Sequence, residues 1–187
     1  MLILYSTTAS RIKIFAHTVR RQTSNTQVQD NRPLYARGPT FGVHVDQSYK
    51  GAAEHLERFI TDDPNAPQHR YQIINVWRPI KTIRKDPFAV SDARTISEDD
   101  LVQITVKAGQ FLSNSWHVRP NEKHRFYYLN EQTPEEVLMI KCFDSKLDGR
   151  ARRCPHSAFR DEEREDEESR ESVEVRCLLM YADDTAE

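Results

Sequence analysis

The chain has 187 residues, and its 27 Lys and Arg against 29 Asp and Glu leave a formal net charge of −2. That balance excludes the strongly basic footprint of a nucleic-acid-binding face, and no apolar run approaches the ~20 residues that cross a bilayer as a helix. Five Gly exclude a glycine-rich chain, while three Cys without a CxxC pair give neither a disulfide framework nor a zinc-ribbon spacing.

Seventeen aromatic side chains (8 Phe, 7 Tyr, 2 Trp) argue against wholesale disorder, and the length suits one domain, residues 1–187, with a single core. Arg11, Lys13, Arg20 and Arg21 all precede the first acidic residue, Asp30. Such a composition is shared with mitochondrial transit peptides. The simpler reading is a strand with basic neighbours in a soluble protein of the cytoplasm, with the mitochondrion as the alternative.

Residues 11–19 alternate Ile12, Ile14 and Ala16 and read as a strand. A polar loop over 22–32 and an irregular stretch from Pro33 to Pro39 come next. FGVHVDQS, 41–48, reads as a strand with Phe41, Val43 and Val45 on one face and Gly42, His44 and Asp46 on the other. Residues 51–60 carry Ala52, Leu56, Phe59 and Ile60 at helical spacing, and 62–67 form a loop.

YQIINVWRPI, 71–80, is β-branched and aromatic, a strand closed by Pro79. Residues 81–97 read as irregular and extended. Ser97 with Asp100 three residues later marks the start of a short helix. Strands are expected at 124–130, 136–145 and 172–181, with a turn at 133–136 and a short strand or loop at 154–159. The acidic run 161–168 reads as a solvated loop, and 182–187 as a tail. Strands outnumber helices and no βαβ rhythm appears. The expected fold is therefore mainly β with a few helices: an antiparallel sandwich or barrel such as a jelly roll.

Two side chains in this pattern carry chemistry. On a strand, residues i and i+2 share a face, so His44 and Asp46 place an imidazole beside a carboxylate. With one further His they make a two-His-one-carboxylate triad, which leaves open positions on Fe(II). His55 and Glu57 have the same spacing but fall in the expected helix, where i and i+2 diverge by ~200°. The third ligand comes from His69, His117, His124 or His156. Arg170, Ser172 and Arg176 lie beyond His156, and an Arg with a nearby hydroxyl suits an oxoacid carboxylate.

FGVHVDQS, NVWRPI, SDARTISEDDLV, HRFYYLNEQTPEEVLMIKCFDS, PHSAF and RESVEVR occur in that order. Together, over residues 10–181, they resemble the fungal AsaB-like hydroxylase/desaturase family, related to the gibberellin desaturase and cephamycin methoxylase-like proteins. The resemblance implies a double-stranded β-helix (jelly-roll) oxygenase of secondary metabolism. It would use Fe(II) and 2-oxoglutarate to hydroxylate or desaturate a small natural product with O2.

Carried over by motif, His44, Asp46 and His156 are the implied metal ligands. Arg170, Ser172 and Arg176 are implied at the cosubstrate, with the choice between the two arginines open. Asn75, Trp77, Arg78, Tyr127 and Lys141 are implied near the substrate. Family members carry a further stretch ahead of the segment that begins here near Ser10. Its lack implies loss of part of the substrate wall or of an outer strand. The rival expectations are an inactive jelly-roll remnant or accessory binding protein, and a cupin-like isomerase that uses the metal without an oxoacid.

Overall fold

The computed structural model describes residues 6–21, 38–108 and 111–186; the loop expected over 22–32 lies outside them. Among the described residues, ten strands form two antiparallel sheets. The first sheet has four strands in the order β1 (Arg11–Arg20), β10 (Ser172–Thr185), β3 (His69–Pro79) and β8 (Leu138–Asp144). The second has six, in the order β5 (Leu101–Ala108), β6 (Phe111–Val118), β2 (His44–Val45), β9 (His156–Ala158), β4 (Phe88–Ser91) and β7 (Phe126–Tyr128). Neighbours in both sheets are mostly distant in sequence, as a jelly roll requires.

β3 and β10 are the inner strands of the first sheet, which is why their sequences are nearly continuous apolar runs rather than clean alternations. Parity still sorts their side chains. On β10, Leu178 and Met180 enter the core between the sheets with Tyr71, Ile73, Val45, Phe88 and Leu56, whereas Cys177, Leu179 and Tyr181 pack on the outer face with Ala9 and Ile74.

Ser172, Glu174 and Arg176 have the same parity as Leu178 and Met180, so the inward face of one strand turns from apolar to polar along its length. The register sets Asn75 opposite Arg176 and Trp77 opposite Glu174. One end of the interlayer space is thus core, and the other is a polar cavity.

The helix α1 (Tyr49–Phe59) starts two residues before the expected 51–60, capped by Ser48, whose hydroxyl accepts from Gly51 N at 3.1 Å. Gly51 is dictated by packing: a Cβ there would lie 2.2 Å from the Asn114 carbonyl oxygen of β6. The same carbonyl accepts from Ser48 N at 2.8 Å. The expected strand at 41–48 shrinks to His44–Val45 because the chain turns at once into this cap.

Ser97 starts only a single 3₁₀ turn, Glu98–Asp100, although Ser97 N does donate to Asp100 Oδ2 at 3.2 Å. The adjoining segment LVQITVKA alternates β-branched residues and forms β5, paired to β6 as a hairpin absent from the expected elements. β4 likewise lies inside the stretch expected to be irregular. No helix of the described residues is long and apolar enough to cross a membrane.

Candidate metal centre

Register, not sequence distance, assembles the centre. β2 lies between β6 and β9, and His44 is paired with His156 on one side and His117 on the other. The His44 and His156 rings meet edge to face with centroids 4.6 Å apart. His44, Asp46 and His156 each offer one ligand atom, all within 4.8 Å of one another.

The other candidate histidines are elsewhere. His69 opens β3, His124 is bonded to Asp100 Oδ2 at 3.0 Å, and the His117 ring stands 6.4 Å from that of His44. His55 is on α1 as expected, with its Nδ1 against Gly51 O at 2.7 Å.

Backbone carbonyls fix the tautomers. His44 Nδ1 is 2.7 Å from Gly42 O and His156 Nδ1 is 3.0 Å from Cys154 O. A carbonyl only accepts, so each Nδ1 carries the proton and each Nε2 keeps its lone pair. Both Nε2 atoms face Asp46, at 3.9 Å from Oδ1 for His44 and 3.8 Å from Oδ2 for His156. Burial lowers the pKa of both imidazoles, keeping them neutral. Burial pushes the Asp46 carboxyl up, but the Arg176 guanidinium holds it well below the usual carboxylate range. Two neutral imidazoles and one ionised carboxylate, all pre-aimed, fit a divalent cation.

Asp46 is held by two further side chains. Asn75 Nδ2 donates to its Oδ2 at 2.6 Å, and Arg176 Nη2 to its Oδ1 at 2.9 Å. Arg176 also donates through Nε to Glu174 Oε1 at 2.7 Å. Arg176 is therefore bound up with the ligand carboxylate and is not a group facing an incoming anion.

Arg170 is the reverse. It is 3% exposed, its guanidinium lies over Trp77 at 5.1 Å and Phe88 at 5.3 Å, and its buried Nε and Nη1 have no hydrogen-bond partner among the described residues. Burial pulls its pKa down to about 10. It lines one cavity with His44, Asp46, His156, Trp77 and Glu174.

Of the residues expected near a substrate, Trp77 lines this cavity, and Asn75 is buried behind it, bonded to Asp46. Arg78 has the parity of the outer face and donates to Pro134 O at 3.0 Å. Lys141 is paired with Ile74 on that outer face and its ammonium meets Asp144 at 3.2 Å. Tyr127 sits on the edge strand, 61% exposed. Ser172 is buried at the cavity end of β10.

Arg20 and Glu174 line the cavity but were not among the expected site residues. Parity with Ser172 and Arg176 was a sufficient signal for Glu174. For Arg20 none existed, because its inward aim comes from pairing with Ser172. A larger hollow of about 550 Å³, walled by Phe41, Val43, Phe126, Tyr128 and Phe159, contains none of the three ligands.

A family model described as "Oxidoreductase/YMDC permease-like domain" matches residues 1–180. The hydroxylase/desaturase efuI of Hormonema carpetanum is 39% identical over 161 residues, covering 80% of this chain and 54% of that protein. The hydroxylase/desaturase asaB of Aspergillus flavus is 35% identical over 189 residues, 82% of each chain. Among solved structures, the iron and alpha-ketoglutarate-dependent endoperoxidase NvfI superposes with a TM-score of 0.84 at 28% identity, covering 96% of this chain and 66% of that one. The chain thus spans about half of efuI and two thirds of the endoperoxidase.

Proposed function

The chain belongs to the fungal hydroxylase/desaturase family, and on that premise we propose that it is an Fe(II)- and 2-oxoglutarate-dependent oxygenase. In this reading it hydroxylates or desaturates a small natural product, with O2 as co-reactant, in the cytoplasm and without nucleic acid as a partner. The observation that carries this is the pairing of a preformed His44–Asp46–His156 triad with a buried Arg170, two of whose nitrogens have no partner among the described residues, in the same cavity.

His44, Asp46 and His156 would hold the iron, and Arg170 the far carboxylate of 2-oxoglutarate, with Ser172 beside it. Bound there, iron and the oxoacid supply the activation of O2 that unactivated C–H bonds require.

The chain's own residues do the rest. Gly42 O and Cys154 O keep both Nε2 lone pairs turned to the metal position. Asn75 and Arg176 fix the plane of the Asp46 carboxylate, so ligand geometry is set before binding. Arg176 and Glu174 neutralise each other at 2.7 Å, which limits the charge buried beside the ligands. Trp77 and Phe88, stacked at 4.4 Å, wall off the cavity and exclude water around Arg170. Desolvation makes the guanidinium a strong anchor for a carboxylate, since the pairing replaces no protein partner.

Calorimetric titration with Co(II) as an iron surrogate tests this. One ion should bind per chain, 2-oxoglutarate should bind after it, and His44→Ala or His156→Ala should abolish both events. Oxoacid binding that ignores the metal, or metal binding that survives both substitutions, would overturn the assignment.

A further inference from the structure

Two guanidinium groups, Arg20 and Arg170, line the cavity and a third, Arg176, backs it through Asp46 and Glu174, and the three differ in what they already hold. Arg176 is bonded to Asp46 and Glu174. Arg170 is buried beside the Trp77–Phe88 stack, 5.1 and 5.3 Å from the two ring centres. Arg20 lies at the last position of β1, an edge strand, paired with Ser172, so its side chain takes the inward face. It is half-buried and lines the cavity beside Thr40, His44, Asp46 and Arg170. The hydrogen bond it makes there is a long one, from Nη1 to Gly38 O at 3.4 Å. Among the described residues no carboxylate lies in ion-pair range of it. Its positive field reaches His44, Asp46, His156, Arg170 and Glu174.

A cation placed next to a second buried cation and a divalent-metal position is unfavourable unless an anion joins it. Asp46 and Glu174 balance two of the three guanidiniums. A divalent iron and a dicarboxylate cosubstrate cancel one another. One positive charge is left, and it falls to Arg20, which meets no carboxylate of the described residues once the cosubstrate takes Arg170.

We propose that Arg20 anchors a carboxylate on the organic substrate, so that the substrate is a small acid with an apolar body, held on the β1 side while Arg170 keeps the cosubstrate. The inference rests on the oxoacid-dependent reading above. The apolar body extends past Ser157 and Ala158, which line both this cavity and the larger hollow walled by Phe41, Val43 and Phe126. Arg20 is thus a specificity-determining residue, not a cosubstrate ligand.

The test uses the full chain loaded with Zn(II), which is redox-inert, and 2-oxoglutarate. Octanoate and 3-phenylpropanoate are titrated in parallel with their uncharged amides. Each acid should bind about 10-fold more tightly than its amide, the discrimination expected of a charge-assisted hydrogen bond. Arg20→Gln should erase that difference, and Arg20→Lys should restore part of it. The 2-oxoglutarate affinity should stay within about twofold in both variants, against a large loss in Arg170→Gln.

Equal or absent binding of acids and amides by the unsubstituted protein overturns the proposal. So does a loss of 2-oxoglutarate affinity in Arg20→Gln as large as in Arg170→Gln, which would move Arg20 into the cosubstrate site. Failure of 2-oxoglutarate to bind the zinc-loaded protein at all is a separate outcome, read before any acid is added, and it overturns the oxoacid reading itself.

Discussion

Arg176 and Asp46 form an ion pair at 2.9 Å, so a ligand carboxylate of the candidate metal centre is already engaged by a cation from the opposite sheet. Burial works against the Arg176 charge, but Asp46 and Glu174 raise its pKa above the ordinary arginine value. Replacing it with Met leaves two buried carboxylates uncompensated, and unfolding free energy should fall by about 3 kcal/mol. A bound divalent ion compensates Asp46, so metal should raise the melting temperature more in Arg176→Met than in the unsubstituted protein. Denaturant titrations with and without Zn(II) measure both effects.

Asn75 is a positioning residue of a different kind, because it is neutral. Asn75→Ala removes the 2.6 Å bond to Asp46 Oδ2 while leaving the ion pair. Metal affinity should drop roughly 10- to 100-fold. Titration calorimetry reads this directly, and an unchanged affinity would mean that Arg176 alone orients the carboxylate.

Arg170 sets binding against stability. Its guanidinium is desolvated with two nitrogens unpartnered. Arg170→Met should therefore raise the stability of the metal-free protein by about 1 kcal/mol while abolishing 2-oxoglutarate binding. A destabilised variant would show that the contacts over Trp77 and Phe88 outweigh the desolvation.

Asp144 provides the acid-sensitive element. Fully buried on the outer face of the first sheet, it accepts from Arg70 Nη2 at 2.8 Å and Gln72 Nε2 at 2.6 Å. Burial opposes its ionisation, yet the bonds from Arg70 and Gln72 prevail and hold its pKa at about 2, against 3.8 ordinarily. A depressed carboxyl contributes stability above its unfolded pKa and loses it as pH falls through the folded one. About 2 kcal/mol should thus be present at neutral pH and vanish between pH 3.8 and about 2. Asp144→Asn should lose at least that much at pH 7 and show a flatter stability profile over the acid window, measured by urea unfolding.

Gly51→Ala tests the seating of α1 on β6. Alanine would gain about 1 kcal/mol of helix propensity, but its Cβ meets backbone at 2.2 Å, and overpacking of that kind costs about 1–3 kcal/mol. The net change should be a loss, seen as a lower denaturation midpoint.

The fold class was legible in the alternation of the strands, but parity reached only His44 and Asp46; His156 was one of four candidate histidines and was picked out by its motif alone. His44 and Asp46 end side by side as expected, although Asp46 falls one residue past β2, and the apolar runs expected at 71–80 and 172–181 form the inner pair of the first sheet. The two arginines were not separable. Arg170 and Arg176 both lie downstream of His156, and only the register of Arg176 against Asn75 shows which is occupied by Asp46. Arg78 and Lys141 were drawn toward the cavity by motif, whereas odd-and-even placement on β3 and β8 turns them outward. The hairpin β5–β6 was hidden by a genuine capping signal at Ser97, a local preference that β-branched residues downstream override.

The most direct measurement is an anaerobic titration of the purified chain with Fe(II) and 2-oxoglutarate, followed by visible absorption. A weak charge-transfer band from an oxoacid chelated to iron is expected, absent in His44→Ala and His156→Ala and requiring much higher 2-oxoglutarate in Arg170→Gln. A folded protein that binds Fe(II) but develops no band at saturating 2-oxoglutarate would contradict the oxoacid-dependent function.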